Sequence, residues 1–274
     1  MKQKHDSLGI LIKSFEKSYE NRIDHDKFLI VRIDGHKFSK FTKKFKKPYD
    51  PLLSQSMENT TKDLIDHFGA SIGYTQSDEI TLVFPPVFDI KNGIVTNNQI
   101  FSGRTQKIAS LIASFTSIRF NYWMQQLFND VYIHDEFYKE SVTNQLGNAW
   151  FDARIFGLST KEDACKVVLW RWRDALKNSC SMFSQTFCSH KALLNKTGVE
   201  QIKYCFEKTG NDWNLSPDRF KYGIFVKKEK YVKKITENIY TDCDEIIRTR
   251  ITTFTKNTFL MSDENIELVI SKSI

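Results

Sequence analysis

The apolar positions of this chain fall into a few distinct rhythms. Phe28–Ile33 (FLIVRI) is almost continuously apolar and β-branched, the pattern of a strand buried on both faces, and it stops at Asp34-Gly35. A basic stretch follows and closes with Lys47-Pro48-Tyr49-Asp50-Pro51, where Asp50 suits a helix N-cap and Pro51 the first helical position. Leu53, Met57, Leu64 and Phe68 then recur at helical spacing, and Gly69 predicts the stop. Ala70–Tyr74 and Ile80–Phe84 bracket Gln76-Ser77-Asp78-Glu79, which predicts a β-hairpin with an acidic pair at its turn; Pro85-Pro86 ends the second strand. Arg104–Phe128 reads as a long apolar helix and Ala149–Phe156 as another strand. Ser159 with Glu162 predicts a capping box opening a helix that runs to about Phe187, and Thr197 with Glu200 predicts a second box. Tyr222–Val226 and Glu245–Phe254 are late strands joined by a basic connector. The order strand–helix–hairpin–helix–strand predicts an α+β fold with a ferredoxin-like βαββαβ core, added helices and a small C-terminal β extension. Residues 1–226 are expected to form the core with its insertions, and 227–274 a basic extension packed on the same unit.

Composition narrows the class. The 274 residues are 41% hydrophobic and 27% charged, with 22 Phe, so a sizeable core is available. No apolar stretch approaches the roughly 20 residues of a membrane-spanning helix. The patch Ile10–Ile12, close to Asp6, Glu16 and Glu20, is too short for a signal peptide, and the expectation is a cytoplasmic protein with no membrane association. Cys165, Cys180, Cys188, Cys205 and Cys243 form no C-x-x-C pair, which argues for buried or incidental thiols rather than a disulfide framework or zinc knuckle. The net charge is +7, concentrated in Lys40, Lys43, Lys44, Lys46 and Lys47 and again in Lys227, Lys228, Lys230, Lys233 and Lys234, with Arg248 and Arg250 beyond. Such clusters suit a polyanion; a solvated lysine-rich surface accounts for them equally.

The chemistry centres on Asp34 and Asp78-Glu79. In a βαββ core the first strand and the hairpin lie side by side, which brings these carboxylates to one edge. Carboxylates in reach of each other repel unless a proton or cation sits between them, and Mg²⁺ suits hard oxygen donors while leaving positions for phosphate and water. Gly35 lets its backbone approach a phosphate or offer its carbonyl to a metal, and Lys37 and Lys40 follow it. Against this, Asp and Gly are common at strand ends and turns for conformational reasons alone.

The segments VRIDGHKFSKFTKKFKKPYD (31–50) and GYTQSDEITLVF (73–84) resemble the two signature blocks of the tRNA-His guanylyltransferase family: VRIDG-x-x-F with KP-x-D, then G-x-SDE-x-S/T-x-x-F. Phe151-Asp152-Ala153-Arg154 is similar to the family's FDSR strand, and Trp170-Arg171-Trp172-Arg173-Asp174 to its WR-x-x-D helix. The resemblance spans about residues 25–226. It implies a polymerase-palm-like fold, two Mg²⁺ ions, ATP and GTP or another NTP as substrates, tRNA as partner and a homotetramer. It further implies Asp34, the Gly35 carbonyl and Asp78 as metal ligands, with Glu79 in a supporting catalytic role. His36, Lys37, Phe38, Ser39 and Ser77 would line the nucleotide site, with Lys47 and Asp50 near a triphosphate. The implied reaction is nucleotide addition at an RNA 5′ end, activated by adenylylation.

Two departures bear on the subtype. The family's FH pair is Phe38-Ser39 here, and His36 is not assumed to replace the missing histidine. Where dedicated tRNA-His enzymes carry an HINNLYN segment, this chain reads Leu176–Met182, and Asp174, Ala175, Asn178 and Ser179 match the DA-x-x-NS pattern of the guanylyltransferase-like proteins, 3′-to-5′ polymerases that repair truncated tRNA. The resemblance therefore favours templated 5′-end repair, with the dedicated guanylyltransferase as its alternative. A palm-fold cyclase, a conventional polymerase, a nuclease or a non-catalytic RNA-binding protein are the competing functions. Arg32, Arg154 and Asn178 are the RNA-binding candidates; for the two arginines a structural salt bridge explains a charge in an apolar strand as well. Trp150, Trp170 and Trp172 are expected in the core, with base stacking as the other reading. His134 and His190 are expected at the surface or in packing.

Overall fold

In the computed structural model, residues 7–89, 94–95, 99–131, 135–234 and 245–274 are described. The strand expected from FLIVRI is β1 (Phe28–Gly35), and its apolar continuity follows from burial on both faces. Helix α1 (Ser7–Ser18) precedes it. Helix α2 (Pro51–Phe68) begins where Asp50 accepts hydrogen bonds from the Leu52 and Leu53 amides and ends at Gly69, whose φ of 72° is the left-handed conformation that glycine adopts without strain. The hairpin is β2 (Ile72–Gln76) and β3 (Glu79–Phe84), followed by α3 (Thr105–Val131), α4 (Glu136–Thr143) and β4 (Phe151–Leu158). The chain continues through α5 (Lys161–Phe187), α6 (Gly198–Thr209), β5 (Ile224–Lys234), β6 (Glu245–Phe254) and α7 (Asp263–Ile270).

The six strands form one antiparallel sheet in the order β4-β1-β3-β2-β5-β6. Its first four strands make the expected ferredoxin-like core, with β5 and β6 added at the β2 edge. β5 crosses residue 227 without a break, and Lys227 is fully buried, its Nζ donating to the carbonyls of Ser71, Leu268 and Ser271. The C-terminal extension is thereby tied to the sheet and to the end of α7.

Strand alternation assigns each face a core. Leu29, Val31, Ile33, Ile80 and Leu82 pack under α2 and α3, while Phe28, Ile30, Tyr74 and Val83 pack against α5 and α7. A smaller cluster of Cys180, Phe183, Cys205, Trp213 and Phe220 joins α6 to the far half of α5.

Two local expectations are corrected. The cap of α5 is Thr160, which accepts from the Asp163 amide, one residue beyond the expected Ser159–Glu162 box; Ser159 instead accepts from Lys27 Nζ at 3.1 Å. Both S-x-x-E and T-x-x-D fit the pattern, so spacing alone does not fix the register. Trp172 is core at 7% exposure, but Trp150 and Trp170 are 67% and 52% exposed. The Thr197–Glu200 box forms as expected. Cys165, Cys180 and Cys205 are buried free thiols and His190 is exposed; His134 and Cys243 lie outside the described residues.

Candidate active site

The register of the sheet builds the site. Asp34 pairs with Glu79 on β3 and with Asp152 on β4, and Gly35 pairs with Phe151. Ile33 and Ile80 face α2 and α3, so Asp34, Arg32, Glu79, Asp152 and Arg154 are presented on the α5 side. The hairpin turn is only Ser77-Asp78. Ser77 sits at a φ of 54°, and its hydroxyl donates to Asp78 Oδ1 at 3.0 Å.

That tight turn folds the Asp78 carboxylate back onto the end of β1. A Cβ placed on Gly35 would stand 2.9 Å from Asp78 Oδ2 and 2.4 Å from Phe38 Cδ2. Phe38 is held in an aromatic cluster with Phe41, Phe120 and Phe151 at centroid distances of 4.9, 5.7 and 5.6 Å. Gly35 is thus the residue that lets strand end, ring and carboxylate meet. Burial pushes the Asp78 carboxyl up from its ordinary value; Ser77 opposes this, and Asp34 adds to it.

Glu79, the next residue, has a different environment. It is ion-paired with Arg171 of α5, lies 3.8 Å from Arg32, and is a quarter exposed. Burial pushes its carboxyl up from the ordinary value, and Arg171 and Arg32 bring it only part of the way back. Arg171 is itself buried, reaches Asp174 at 3.1 Å and lies 4.7 Å from the centre of the Trp170 ring, as does Arg32. Arg154 reaches Asp34 at 3.5 Å from a largely exposed position. Both strand arginines therefore make ion pairs with the acidic cluster.

Two cavities flank the Ser77-Asp78 turn. The larger, about 330 Å³, is lined by Phe38, Ser39, Lys46, Lys47, Asp50, Ser77, Asp78 and Arg219 among others. The smaller, about 180 Å³, lies on the α5 side and is lined by Gln76, Ser77, Asp78, Glu79, Arg171, Asn178, Ser181, Met182 and Gln185. Asn178 also donates to Asp174 at 3.1 Å. Of the sequence candidates, Arg32, Asp34, Gly35, His36, Lys37 and Arg154 do not line either cavity; His36 and Lys37 are exposed, the His36 amide donates to the Trp150 carbonyl, and Lys37, at a φ of 51°, starts the turn Phe38–Phe41. Asp50 lines the larger cavity, yet its carboxylate is occupied by the amides of Lys46, Leu52 and Leu53 and by the Tyr138 hydroxyl. Its part in the cavity is to hold the wall.

Arg219 is a cavity residue with no local signal. It arrives from a short helical turn, Asp218–Tyr222, and pairs with Glu58 of α2. Tyr138 is similar: its partner Asp50 is distant in sequence, and only the assembled fold unites them.

Among the described residues no cluster of three or more His, Cys, Asp or Glu is arranged to hold a metal. Asp34 and Asp78 with the Gly35 carbonyl are a hard-oxygen set, and the burial that, with Asp34 nearby, makes the Asp78 carboxylate costly to ionise is the situation a cation relieves. Mg²⁺ binds through one or two carboxylates and completes its shell with water and substrate phosphates, so these residues fit it.

Residues 10–159 match the family described as tRNAHis guanylyltransferase. An uncharacterized protein of Acanthamoeba polyphaga mimivirus is 36% identical over 232 residues, covering 82% of this chain and 78% of its own. Among solved structures, a bacterial tRNA(His) guanylyltransferase-like protein in complex with ATP superposes with a TM-score of 0.68 at 32% identity, covering 81% of this chain and 87% of that one. Such a protein in complex with GTP gives 0.65 at 29% identity, covering 90% and 91%.

Proposed function

Because the chain belongs to the tRNAHis guanylyltransferase family, we propose that it adds nucleotides to the 5′ end of tRNA in the 3′-to-5′ direction, copying the opposite strand to repair truncated ends. It is a nucleotidyltransferase. The observation that carries the finer reading is the approach of Asp78 to Gly35, next to Asp34 at the end of β1, where Asp78 lines a cavity to which Lys46, Lys47 and Arg219 contribute cationic groups. That combination suits a nucleoside triphosphate whose phosphates lie next to paired carboxylates.

Asp34, Asp78 and the Gly35 carbonyl would hold Mg²⁺, two ions by family resemblance. When bound, Mg²⁺ neutralises charge on the phosphoryl group being transferred. Lys47 and Arg219 offer donors to the triphosphate, Ser77 orients the Asp78 carboxylate, and Glu79, clamped by Arg171 and Arg32, fixes the start of β3. A 5′-monophosphate displaces pyrophosphate from ATP to give an adenylylated end; the 3′-hydroxyl of GTP or another NTP then attacks that 5′ phosphorus and AMP leaves. A 5′-triphosphate end loses pyrophosphate directly. The chain contributes alignment and charge neutralisation. Arg32, Arg154 and Asn178 are proposed to face the RNA, and the assembly is proposed to be a homotetramer.

The test is 5′ extension of a tRNA lacking its first nucleotide, with Mg²⁺, ATP and all four NTPs, beside intact tRNA-His. Restoration of the nucleotide dictated by the opposite strand is expected, and its loss in Asp78→Ala with RNA binding retained. A single G added only to tRNA-His would move the reading to the dedicated enzyme. No extension of either RNA would overturn it.

A further inference from the structure

Glu58 lies behind the wall of the larger cavity. It follows Met57, which lines that cavity, but does not line it itself, and it is only 7% exposed. Both of its carboxylate oxygens have partners. Oε2 accepts from Arg219 Nη2, and Oε1 accepts from Lys62 Nζ at 2.8 Å and from the Thr253 hydroxyl of β6 at 3.2 Å. Burial pushes the carboxyl up, yet Lys62 and Arg219 hold it below the ordinary value, so Glu58 is ionised at neutral pH. One buried negative charge thus joins α2, the Asp218–Tyr222 turn and β6.

What this charge holds is the Arg219 guanidinium at the cavity wall. Lys46 and Lys47 line the same cavity, but both are exposed, and Lys46 is paired with Asp135 at 2.8 Å. Arg219 by contrast is anchored on a buried carboxylate. It stands on a turn of five residues, and a side chain of its length samples many rotamers unless something fixes it. Burial opposes its charge, while Tyr49 and Glu58 outweigh that effect and favour the cation. A guanidinium carries more N–H donors than these two contacts use, so the anchored group still has donors for an oxyanion.

We propose that Glu58 is a positioning residue for the triphosphate: from outside the cavity it fixes Arg219, so that the guanidinium meets the phosphates already ordered. The proposal rests on the reading of the larger cavity as a nucleoside triphosphate site. A guanidinium that must be ordered during binding loses up to about tenfold in affinity relative to one held beforehand. The buried carboxylate also offsets positive charge at the wall, so position and charge act in opposite directions. Removing Glu58 strengthens phosphate binding if charge decides and weakens it if position decides.

The test is calorimetric titration of the full chain with ATP, GTP and AMP in the presence of Mg²⁺. Glu58→Ala is expected to weaken ATP and GTP binding by about tenfold and to leave AMP binding unchanged. Arg219→Ala is expected to weaken ATP binding itself, and adding Glu58→Ala to it should weaken ATP no further. Glu58→Gln keeps the shape of the side chain, serves if the alanine variant does not fold, and is expected to weaken ATP binding in the same direction. Unaltered or tighter ATP binding by folded Glu58→Gln would overturn the positioning role. So would a parallel loss of AMP binding, or an undiminished effect in the Arg219→Ala background, either of which marks Glu58 as structural only. A wild type that binds neither ATP nor GTP would overturn the cavity reading together with the proposal.

Discussion

Replacing Gly35 with alanine adds one methyl group at the most crowded point of the site. The new Cβ would stand 2.4 and 2.8 Å from Cδ2 and Cγ of Phe38 and 2.9 Å from Asp78 Oδ2, all closer than carbon or oxygen tolerates. Phe38 cannot swing aside freely, because Phe41, Phe120 and Phe151 surround its ring and all are buried. Asp78 can yield only by leaving its contact with Ser77. The overpacking should cost about 1–3 kcal/mol of stability, and a displacement of order 1 Å at Asp78 should cost about 100-fold in rate. Thermal unfolding reads the first quantity and single-turnover 5′ extension the second. Phe38→Ala in the Gly35→Ala background removes the clashing Cγ and Cδ2, so the two substitutions together should cost less than the sum of their separate costs. A Gly35→Ala protein with wild-type melting temperature and wild-type extension rate would refute the close-approach account.

Arg171→Met should destabilise the fold by about 3 kcal/mol because it strips Glu79 and Asp174 of a buried partner; urea denaturation should show the loss reduced when Glu79→Gln is added, and strict additivity would disprove the coupling. Glu58 is pushed up by burial yet held below the ordinary glutamate value of 4.5 by Lys62, Arg219 and Thr253, so its stabilisation is present above about pH 4.5 and lost as pH falls through the lower native value. The melting-temperature gap between wild type and Glu58→Gln should therefore shrink on acidification, and a constant gap would contradict the network. Thr160→Ala should cost about 1 kcal/mol as a lost N-cap, whereas Ser159→Ala should cost under about 0.5 kcal/mol; the reverse order in denaturant melts would restore the cap to Ser159.

What the sequence made legible was what local chemistry decides. The FLIVRI run announced a strand buried on both faces, and the Asp50-Pro51 start and Gly69 stop bounded α2 because cap geometry demands those residue types. The meeting of Asp34 with the Ser77-Asp78 turn was also readable, since a βαββ unit leaves β1 and β3 adjacent. Legibility failed wherever a partner comes from far along the chain. Nothing near Arg219 marks it as a cavity residue, and its place depends on Glu58 in α2. Trp170 reads as core from its apolar neighbours, but α5 turns it outward between Arg32 and Arg171 at the acidic end of the sheet.

The acidic pair Asp78-Glu79 carries this contrast into the chemistry. Adjacent in sequence and similar in charge, the two residues diverge because one occupies the turn and the other opens a strand. The left-handed Ser77 turns Asp78 back toward Gly35 and the larger cavity, where burial and Asp34 both oppose its ionisation. Strand alternation then commits Glu79 to the α5 side, opposite Asp34 in register and against two guanidinium groups. A cation arriving at the end of β1 meets a poorly compensated carboxylate in Asp78 and an already paired one in Glu79. Asp78→Asn should therefore weaken Mg²⁺-dependent extension directly. Glu79→Gln should act through stability and the position of the β3 start, because it breaks the ion pairs with Arg171 and Arg32.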